Sequence, residues 1–414
     1  MNLHTIYKYA SNRTMHRLLV YVAGVFLCCA MFALLLISFF AWSYIRRERT
    51  ACERCLNGGI KQAGMILFDT YTEEFLQDIM NMEEIVGLTD GDIYMADENM
   101  IPELGQQQKK MDSEYVEENR AVPWFYMNPE GVDVCHMNLK EGKRPDEWQI
   151  GDRDYLIYLG GNFENIEVGT KYYVEQYDET YIVGGILEKG TDWIYHDVYF
   201  FKSILDTRYV QNLDSMVVVL EKEGVLMSFR NTYIVKEGYQ LEDVEQKLQN
   251  LAQKHGVDIK LARLEDVMDE NEYQYSYILN AIRTMTLVII ITVLVLLERT
   301  QFSEMIGDTE YFGIFYANGA STKDLIAILV GENLLKIALS FLLAVVGGYF
   351  VVKFSWQMFQ PGIDNWRNAS SIYFGQAVLP SFLVGLLIVG LATLRPIKWL
   401  KEKSPVELIQ GYKA

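Results

Sequence analysis

Four long apolar segments constrain this chain more than any other feature. A membrane-crossing helix needs about 20 mostly apolar residues, and four stretches meet that length. Leu18 to Tyr44 reads LLVYVAGVFLCCAMFALLLISFFAWSY and holds no charged residue. The second runs from about Ile278 to Leu297 around TMTLVIIITVLVLL, the third from Leu325 to Val352, and the fourth from Gln376 to Leu394. The first is too long for a cleaved leader and is followed by no small-x-small cleavage site. Arg49 stands three residues before Cys52, where a lipidation motif would want an aliphatic residue. The expected fold is therefore an α-helical membrane protein with four transmembrane helices and a large α+β extracellular domain between helices 1 and 2.

Charge divides the chain in the same way. Residues 46–275 hold 46 acidic and 23 basic side chains, a net of −23, whereas the remainder holds 9 and 14, a net of +5. An acidic block is inserted in a mildly basic membrane scaffold. Such a block argues against nucleic acid as a partner and fits either a solvated surface or a cationic ligand.

Positive charge near spans sets orientation. Arginine and lysine flank the first span on both sides, so it decides nothing. The tail after the fourth span holds Arg395, Lys398, Lys401, Lys403 and Lys413, against only Lys353 and Arg367 in the loop before it. The tail is expected in the cytoplasm of a cell with this plasma membrane protein, and four spans then place the N-terminus there as well. The organisation that follows is a cytoplasmic segment 1–17, a span 18–45, an extracellular domain 46–275, a span 276–298, a cytoplasmic loop 299–324, a span 325–352, an external loop 353–375, a span 376–394 and a cytoplasmic tail 395–414.

Within the insert, residues 57–88 carry apolar positions at helical spacing (Ile60, Met65, Ile66, Phe75, Leu76, Ile79 and Met80) and read as helix. From Asp92 to Leu220, runs such as YLIYLGG, KYYVEQY, TYIVGGILE and SMVVVLE read as strands, being rich in Val, Ile and Tyr and punctuated by Gly, Asp and Asn. A βαβ-like stretch follows. NTYIVK precedes LEDVEQKLQNLAQKHG, which sets Leu241, Val244, Leu248 and Leu251 on one face, and VDIKLARL comes after it. Gly256 suits a helix C-cap.

The residues after the second span carry a resemblance. TEYFGIFYANGASTKDLIAILVGENLL resembles the pattern REIGILRALGASRRQIRRLFLLEALLL of the MacB/FtsX-type ABC transporter permease family, with Gly313, Ile314, Ala317, Gly319, Ala320, Ser321 and Glu332 matching by position. The tail RPIKWLKEKSPVELI is similar to that family's closing segment through Pro396, Pro405 and Glu407. TYIVGGILE and IVKEGYQLEDVEQKL resemble segments of MacB-type external domains. Tyr311, Tyr316 and Asn318 depart from the family pattern.

That resemblance implies a permease subunit whose ATP is bound and hydrolysed by a separate cytoplasmic ABC ATPase, with no cofactor of its own. It implies a homodimer or a pair with a homologous permease, and ATP-driven motion transmitted to the external domain. Export or handling of peptide-like or lipid-linked substrates is one expectation. A non-transporting regulator whose external domain controls a partner such as a cell-wall hydrolase is the other. Phe312, Gly313, Ile314, Phe315, Ala317, Gly319, Ala320 and Ser321 would form the surface that meets the ATPase, with Phe312, Phe315 and Tyr316 as its bulky face.

Other readings come from the residues alone. No G-x-x-x-x-G-K-[ST], H-E-x-x-H or G-x-S-x-G occurs, so phosphate-cradling, zinc-helix and nucleophile-elbow chemistry have no motif here. DGDIYMADE at Asp90 lacks the glycine a calcium loop needs at its sixth position. Glu332 and Lys336 lie four residues apart and predict an intrahelical ion pair about 10 Å into the third span, at 1.5 Å rise per residue. Cys28 and Cys29 sit within the first span as packing residues. An outward location would permit a disulfide between Cys52 and Cys55. Free thiols, or a metal set completed by Cys135 and His136, are the other readings of those cysteines.

Overall fold

The computed structural model describes residues 3–407 apart from 69, 90, 112–119, 196–209, 222–229, 308, 360–368 and 405. It divides into two units. One comprises residues 1–43, 276–355 and 369–414, and the other residues 44–275 and 356–368.

The first unit holds the membrane helices. Among the described residues four helices are long and apolar enough to cross a bilayer: Tyr21–Cys55, Ser276–Gly307, Thr322–Phe354 and Ala369–Glu402. They belong to α1 (Leu3–Cys55), α6 (Leu264–Gly307), α8 (Thr322–Phe359) and α9 (Leu379–Glu402), the last preceded by one π turn over Tyr373–Val378. Their outer faces are apolar and open, as at Phe26, Leu287, Leu342 and Leu387, where lipid would cover them. Small and polar residues sit where helices meet. Ser340 donates from Oγ to the Val25 carbonyl (3.1 Å), and a Cβ on Gly385 would meet the Phe32 ring at 2.5 Å. The four-helix layout read from the apolar runs is the observed one. The helices overrun those runs, because α1 continues to Cys55 and α6 begins at Leu264, where an ordered domain takes over from the apolar core.

The second unit is α+β. Its four-stranded sheet has the order β13-β1-β12-β2, with β1 (Ala63–Phe68), β2 (Ile85–Thr89), β12 (Arg230–Val235) and β13 (Ile259–Arg263). Every neighbouring pair is antiparallel. Numbered among themselves the strands run 4-1-3-2, the order of a split βαβ pair. Helix α2 (Glu73–Met80) joins the first two strands and α5 (Leu241–His255) the last two. Thr72 caps α2 by accepting from the Phe75 N–H (3.2 Å), and Gly256 ends α5 at φ 67°, where a residue with a side chain would be strained. The α5 face read from periodicity is the one that packs. Val244, Leu248 and Ala252 are buried against Phe75, Ile79 and Tyr233, with Leu241 and Leu251 at the margin.

Residues 57–88 overturn the single helix expected there. The run GMILF is strand β1, and among the described residues there the α-helix is confined to Glu73–Met80, with a 3-10 turn over Ile60–Gln62. The strand is buried on both faces, Ile66 and Phe68 under the helices and Ala63 and Met65 in the opposite core. A doubly buried strand has no alternation to reveal it, so its apolar residues imitate a helical spacing.

A second sheet is inserted between β2 and β12. Its path is β3-β4-β11-β6-β8-β5, with β7 also on β8. The strands are β3 (Asp92–Asp97), β4 (Ala121–Met127), β5 (Leu139–Gly142), β6 (Asp154–Leu159), β7 (Lys171–Val174), β8 (Glu179–Leu187) and β11 (Val217–Leu220). Helix α3 (Pro102–Met111) covers one face through Ile101 and Leu104 over Trp124, Ile157 and Val219. The other face turns Phe125, Leu156, Tyr158 and Val218 to the main core, which also takes Met65 and Ile234 of the four-stranded sheet. Short strands β9 (Asp192–Ile194) and β10 (Val210–Asn212) pair with each other, and helix α4 (Gly131–Val134) follows β4.

The last turns of α1 enter that core. Ala51, Cys52, Cys55 and Leu56 are buried among residues of both sheets. Arg49 faces the start of α6 instead, with a nitrogen 2.7 Å from Asp269, 3.2 Å from Glu272 and 3.9 Å from Glu265. This fork of carboxylates holds the two helix extensions side by side.

Candidate coupling surface

Between α6 and α8 lies a short helix, α7 (Thr309–Ala317). Its position is fixed at both ends. At its start, Thr309 is buried and donates from Oγ1 to the Met305 and Ile306 carbonyls. At its end, the Ala320 N–H reaches the Phe315 carbonyl (3.0 Å) and the Gly319 N–H reaches Tyr316 (2.9 Å), the bonding pattern of a Schellman turn. Gly319 takes φ 90° there, and nothing lies within 4 Å of where its Cβ would be, so backbone conformation rather than space requires the glycine. Asn318 closes the same end by donating from Nδ2 to the Ile314 carbonyl (2.9 Å). Ser321 then opens α8 through a capping box. Its N–H and Oγ both meet the Asp324 carboxylate, at 2.7 and 2.6 Å.

The helix has a buried and an open side. Phe312 is only 8% exposed and packs with Met305, Leu325, Leu329 and Leu400, flanked by Phe302, Tyr316 and Trp399. Gly313 is buried beside it. Ile314 and Phe315 point the other way, 51% and 46% exposed, with Ala317, Gly319 and Ser321 also open and Ala320 half-buried. The bulky face expected from Phe312, Phe315 and Tyr316 is thus divided. Phe312 belongs to the supporting core, Tyr316 is half-buried with its hydroxyl on Thr322 Oγ1, and Ile314 joins Phe315 on the open side. The side chains of Glu310, Tyr311 and Glu332, and all of Pro405, lie outside the described residues.

The support below α7 comes from three helices. Gln301 of α6 donates to the Leu329 carbonyl (2.6 Å) and accepts from Asn333 Nδ2 (2.9 Å), so buried amides bind α6 to α8. Arg395 of α9 lies 3.0 Å from Glu298 and stacks over the Phe302 ring at 4.7 Å. Lys336, expected to pair with Glu332, lies 3.9 Å from Glu304 and 5.4 Å from the centroid of the Tyr21 ring. The lysine therefore bridges helices α6, α8 and α1. The tail repeats the capping device of Ser321. Ser404 N–H and Oγ meet Glu407 at 2.8 and 3.0 Å, and these bonds, with Lys403 nearby, hold the Glu407 carboxyl below its ordinary range.

The sequence profile described as FtsX-like permease C-terminal matches residues 283–400, which include the apolar parts of α6, α8 and α9 and the whole of α7. Residues 283–400, the C-terminal membrane segment, match the FtsX-like permease family. Two solved structures are similar to the chain at low identity. The periplasmic region of MacB from Actinobacillus actinomycetemcomitans aligns at 10% identity and a TM-score of 0.32, over 55% of this chain and 98% of that one. A domain of a permease protein from Porphyromonas gingivalis aligns at 11% identity and a TM-score of 0.27, over 49% of this chain and 90% of that one. No curated protein matches the chain in sequence. The matched residues hold α7 and its supports, so the candidate surface lies within the FtsX-like match. Sequence reasoning alone missed Gln301, Asn333, Trp399 and Leu400. Their only signal is polar or bulky residues at the ends of apolar runs.

Proposed function

We propose that this chain is the membrane subunit of an ABC transporter. A separate ATPase docks on the open side of α7, and the α+β unit lies outside the cell, where its motion serves peptide-like or lipid-linked substrates. The observation that supports this best is the construction of α7. Two large apolar side chains, Ile314 and Phe315, stand exposed on a helix that its own buried side, its Schellman turn and the α9 tail hold fixed. A rigid projecting apolar edge is what a docking contact needs if motion of one body is to reach the helices of another. Because α7 packs on α6, α8 and α9, displacement of α7 would move three spans together.

Nucleotide chemistry is assigned to the partner. The chain needs no cofactor of its own in this scheme, and a second copy or a homologous permease would complete the membrane path. The basic residues at the end of α9 and beyond it support a cytoplasmic α7 and an acidic unit outside. The experiment is co-purification of the full-length chain in detergent with the ABC ATPase encoded beside it. Phe315→Asp and Ile314→Asp are expected to abolish association while Tyr173→Asp, on the exposed surface of the α+β unit, leaves it. Association that survives both α7 substitutions would sink the docking surface. An α7 that instead lies on lipid would show no ATPase association in any variant.

A further inference from the structure

Three cysteines that are spread over the sequence meet in the main core of the α+β unit. Cys52 and Cys55 close α1, and Cys135 follows α4; all three are buried. Short strand-like pairing joins the two segments. Leu56 pairs with Cys135 in an antiparallel bridge, His136 N–H donates to the Cys55 carbonyl (2.7 Å), and Asn57 N–H donates to Val134 (2.9 Å). Asn57 Nδ2 adds a bond of 2.5 Å to the Asp133 carbonyl. The bridge sets Cys135 opposite Leu56, the residue after Cys55, so Cys55 and Cys135 are diagonal neighbours across it; a disulfide needs Cα atoms about 4.4–6.8 Å apart. Cys55 and Cys135 are both buried in the same core cluster, and both are free thiols in the structure. Among the described residues no group of three or more His, Cys, Asp or Glu side chains is arranged to hold a metal ion.

We infer that Cys55 and Cys135 form a structural disulfide, leaving Cys52 as a thiol; this rests on the outward placement of the α+β unit proposed above. An extracytoplasmic location is where such bonds form and persist. The reaction is thiol–disulfide exchange with an extracytoplasmic dithiol–disulfide oxidoreductase in its oxidised form. Two S–H bonds break and one S–S bond forms. Two protons and two electrons pass to the oxidant's disulfide, which leaves as a dithiol. Exchange needs a thiolate within reach. In the folded unit burial pushes the Cys135 thiol well above the ordinary range, so the bond forms on the folding chain and is sealed as the core closes.

The alternative pairing, Cys52 with Cys55, joins residues one helical turn apart and constrains almost nothing. A Cys55–Cys135 bond closes a loop containing β1 to β4 and α2 to α4, and a long loop gains most from closure. It also fastens the end of α1 to the sheet that surrounds it. Cys55 Sγ donates at 3.4 Å to the Cys52 carbonyl in the thiol form, a weak local helix bond that the cross-link replaces because a disulfide sulfur carries no hydrogen.

The test uses the full-length chain in membranes, blocked with N-ethylmaleimide before solubilisation and digested without reductant for mass spectrometry. A linked peptide pair containing Cys55 and Cys135, lost on reduction, is expected in the wild type and in Cys52→Ser. Cys55→Ser and Cys135→Ser should each lose it. Three alkylated thiols, or a Cys52–Cys55 link, would overturn the inference. In parallel, Tyr173→Cys, at an exposed site of the same unit, is treated with a membrane-impermeant maleimide on intact cells. Labelling at residue 173 together with three free thiols refutes the disulfide and leaves the outward placement standing. No labelling at residue 173 refutes the placement and the disulfide with it.

Discussion

Phe312 and Phe315 are three residues apart on one short helix, and the structure gives them opposite roles. Phe312 is 8% exposed within a cluster of Met305, Leu325, Leu329 and Leu400. Truncating a buried Phe to Ala removes its contacts and leaves a cavity, at a cost of about 3–5 kcal/mol in well-packed cores. The lower end of that range, about 3 kcal/mol, applies to Phe312→Ala, because the cluster is small and part of its rim is open. Phe315 is 46% exposed on the open side of α7. A surface substitution of that kind changes stability by about 0.5 kcal/mol or less. Thermal unfolding of each purified variant in one detergent, followed by Trp399 and the other tryptophans, separates the two. Phe312→Ala should melt clearly below the wild type, and Phe315→Ala should melt with it. Equal shifts for the two variants, or a larger shift for Phe315→Ala, would refute the division of α7 into supporting and open sides.

Further outcomes follow from the same contacts. Gly319→Ala places a side chain at φ 90° and should cost about 1–2 kcal/mol, read as the same melting shift, whereas Gly390→Ala, at a helical site with open space, should be near neutral. Gly64→Ala would set a Cβ 2.1 Å from the Tyr233 ring in β12; rigid overpacking of this kind costs about 1–3 kcal/mol or more, and protease resistance of the α+β unit should fall. Glu84 and Lys247 form a close ion pair between β2 and α5, and the lysine holds the Glu84 carboxyl below its ordinary 4.5. A depressed carboxylate contributes stability that is present above pH 4.5 and lost as pH falls through the lower folded value. Lys247 is exposed while Glu84 is largely covered, and solvent around the lysine screens the pair, so its contribution is small. Acid titration of unfolding should therefore show a small dependence below pH 4.5 that Glu84→Gln removes.

Much of the architecture is visible in the residues because membranes are strict. An apolar run of bilayer length has few other fates, and Leu18–Tyr44 has none in water. Strands β6, β7, β8 and β11 are equally plain, since Val, Ile and Tyr recur between Gly and Asp punctuation. What stayed hidden depends on partners far away in the chain. β1 pairs with β12 and β13, and only that pairing makes GMILF a strand. The burial of Phe312 depends on Leu400, from the far end of the chain, and no local spacing reveals it. Cys135 likewise meets Cys55 from a distant part of the chain, and no local spacing reveals it. The departures at Tyr316 and Asn318 become intelligible in three dimensions. The first bonds Thr322 across the turn, and the second caps the helix that Gly319 ends.

The account stands most directly on whether an ABC ATPase reads the open side of α7. The chain and its Phe315→Asp variant would each be reconstituted in liposomes with the neighbouring ATPase, and ATP hydrolysis would be measured against the ATPase alone. The wild type is predicted to bind the ATPase and change its turnover, and Phe315→Asp, folded and equally inserted, is predicted to do neither. Turnover that is the same with the wild type, with the variant and with no permease at all would contradict it.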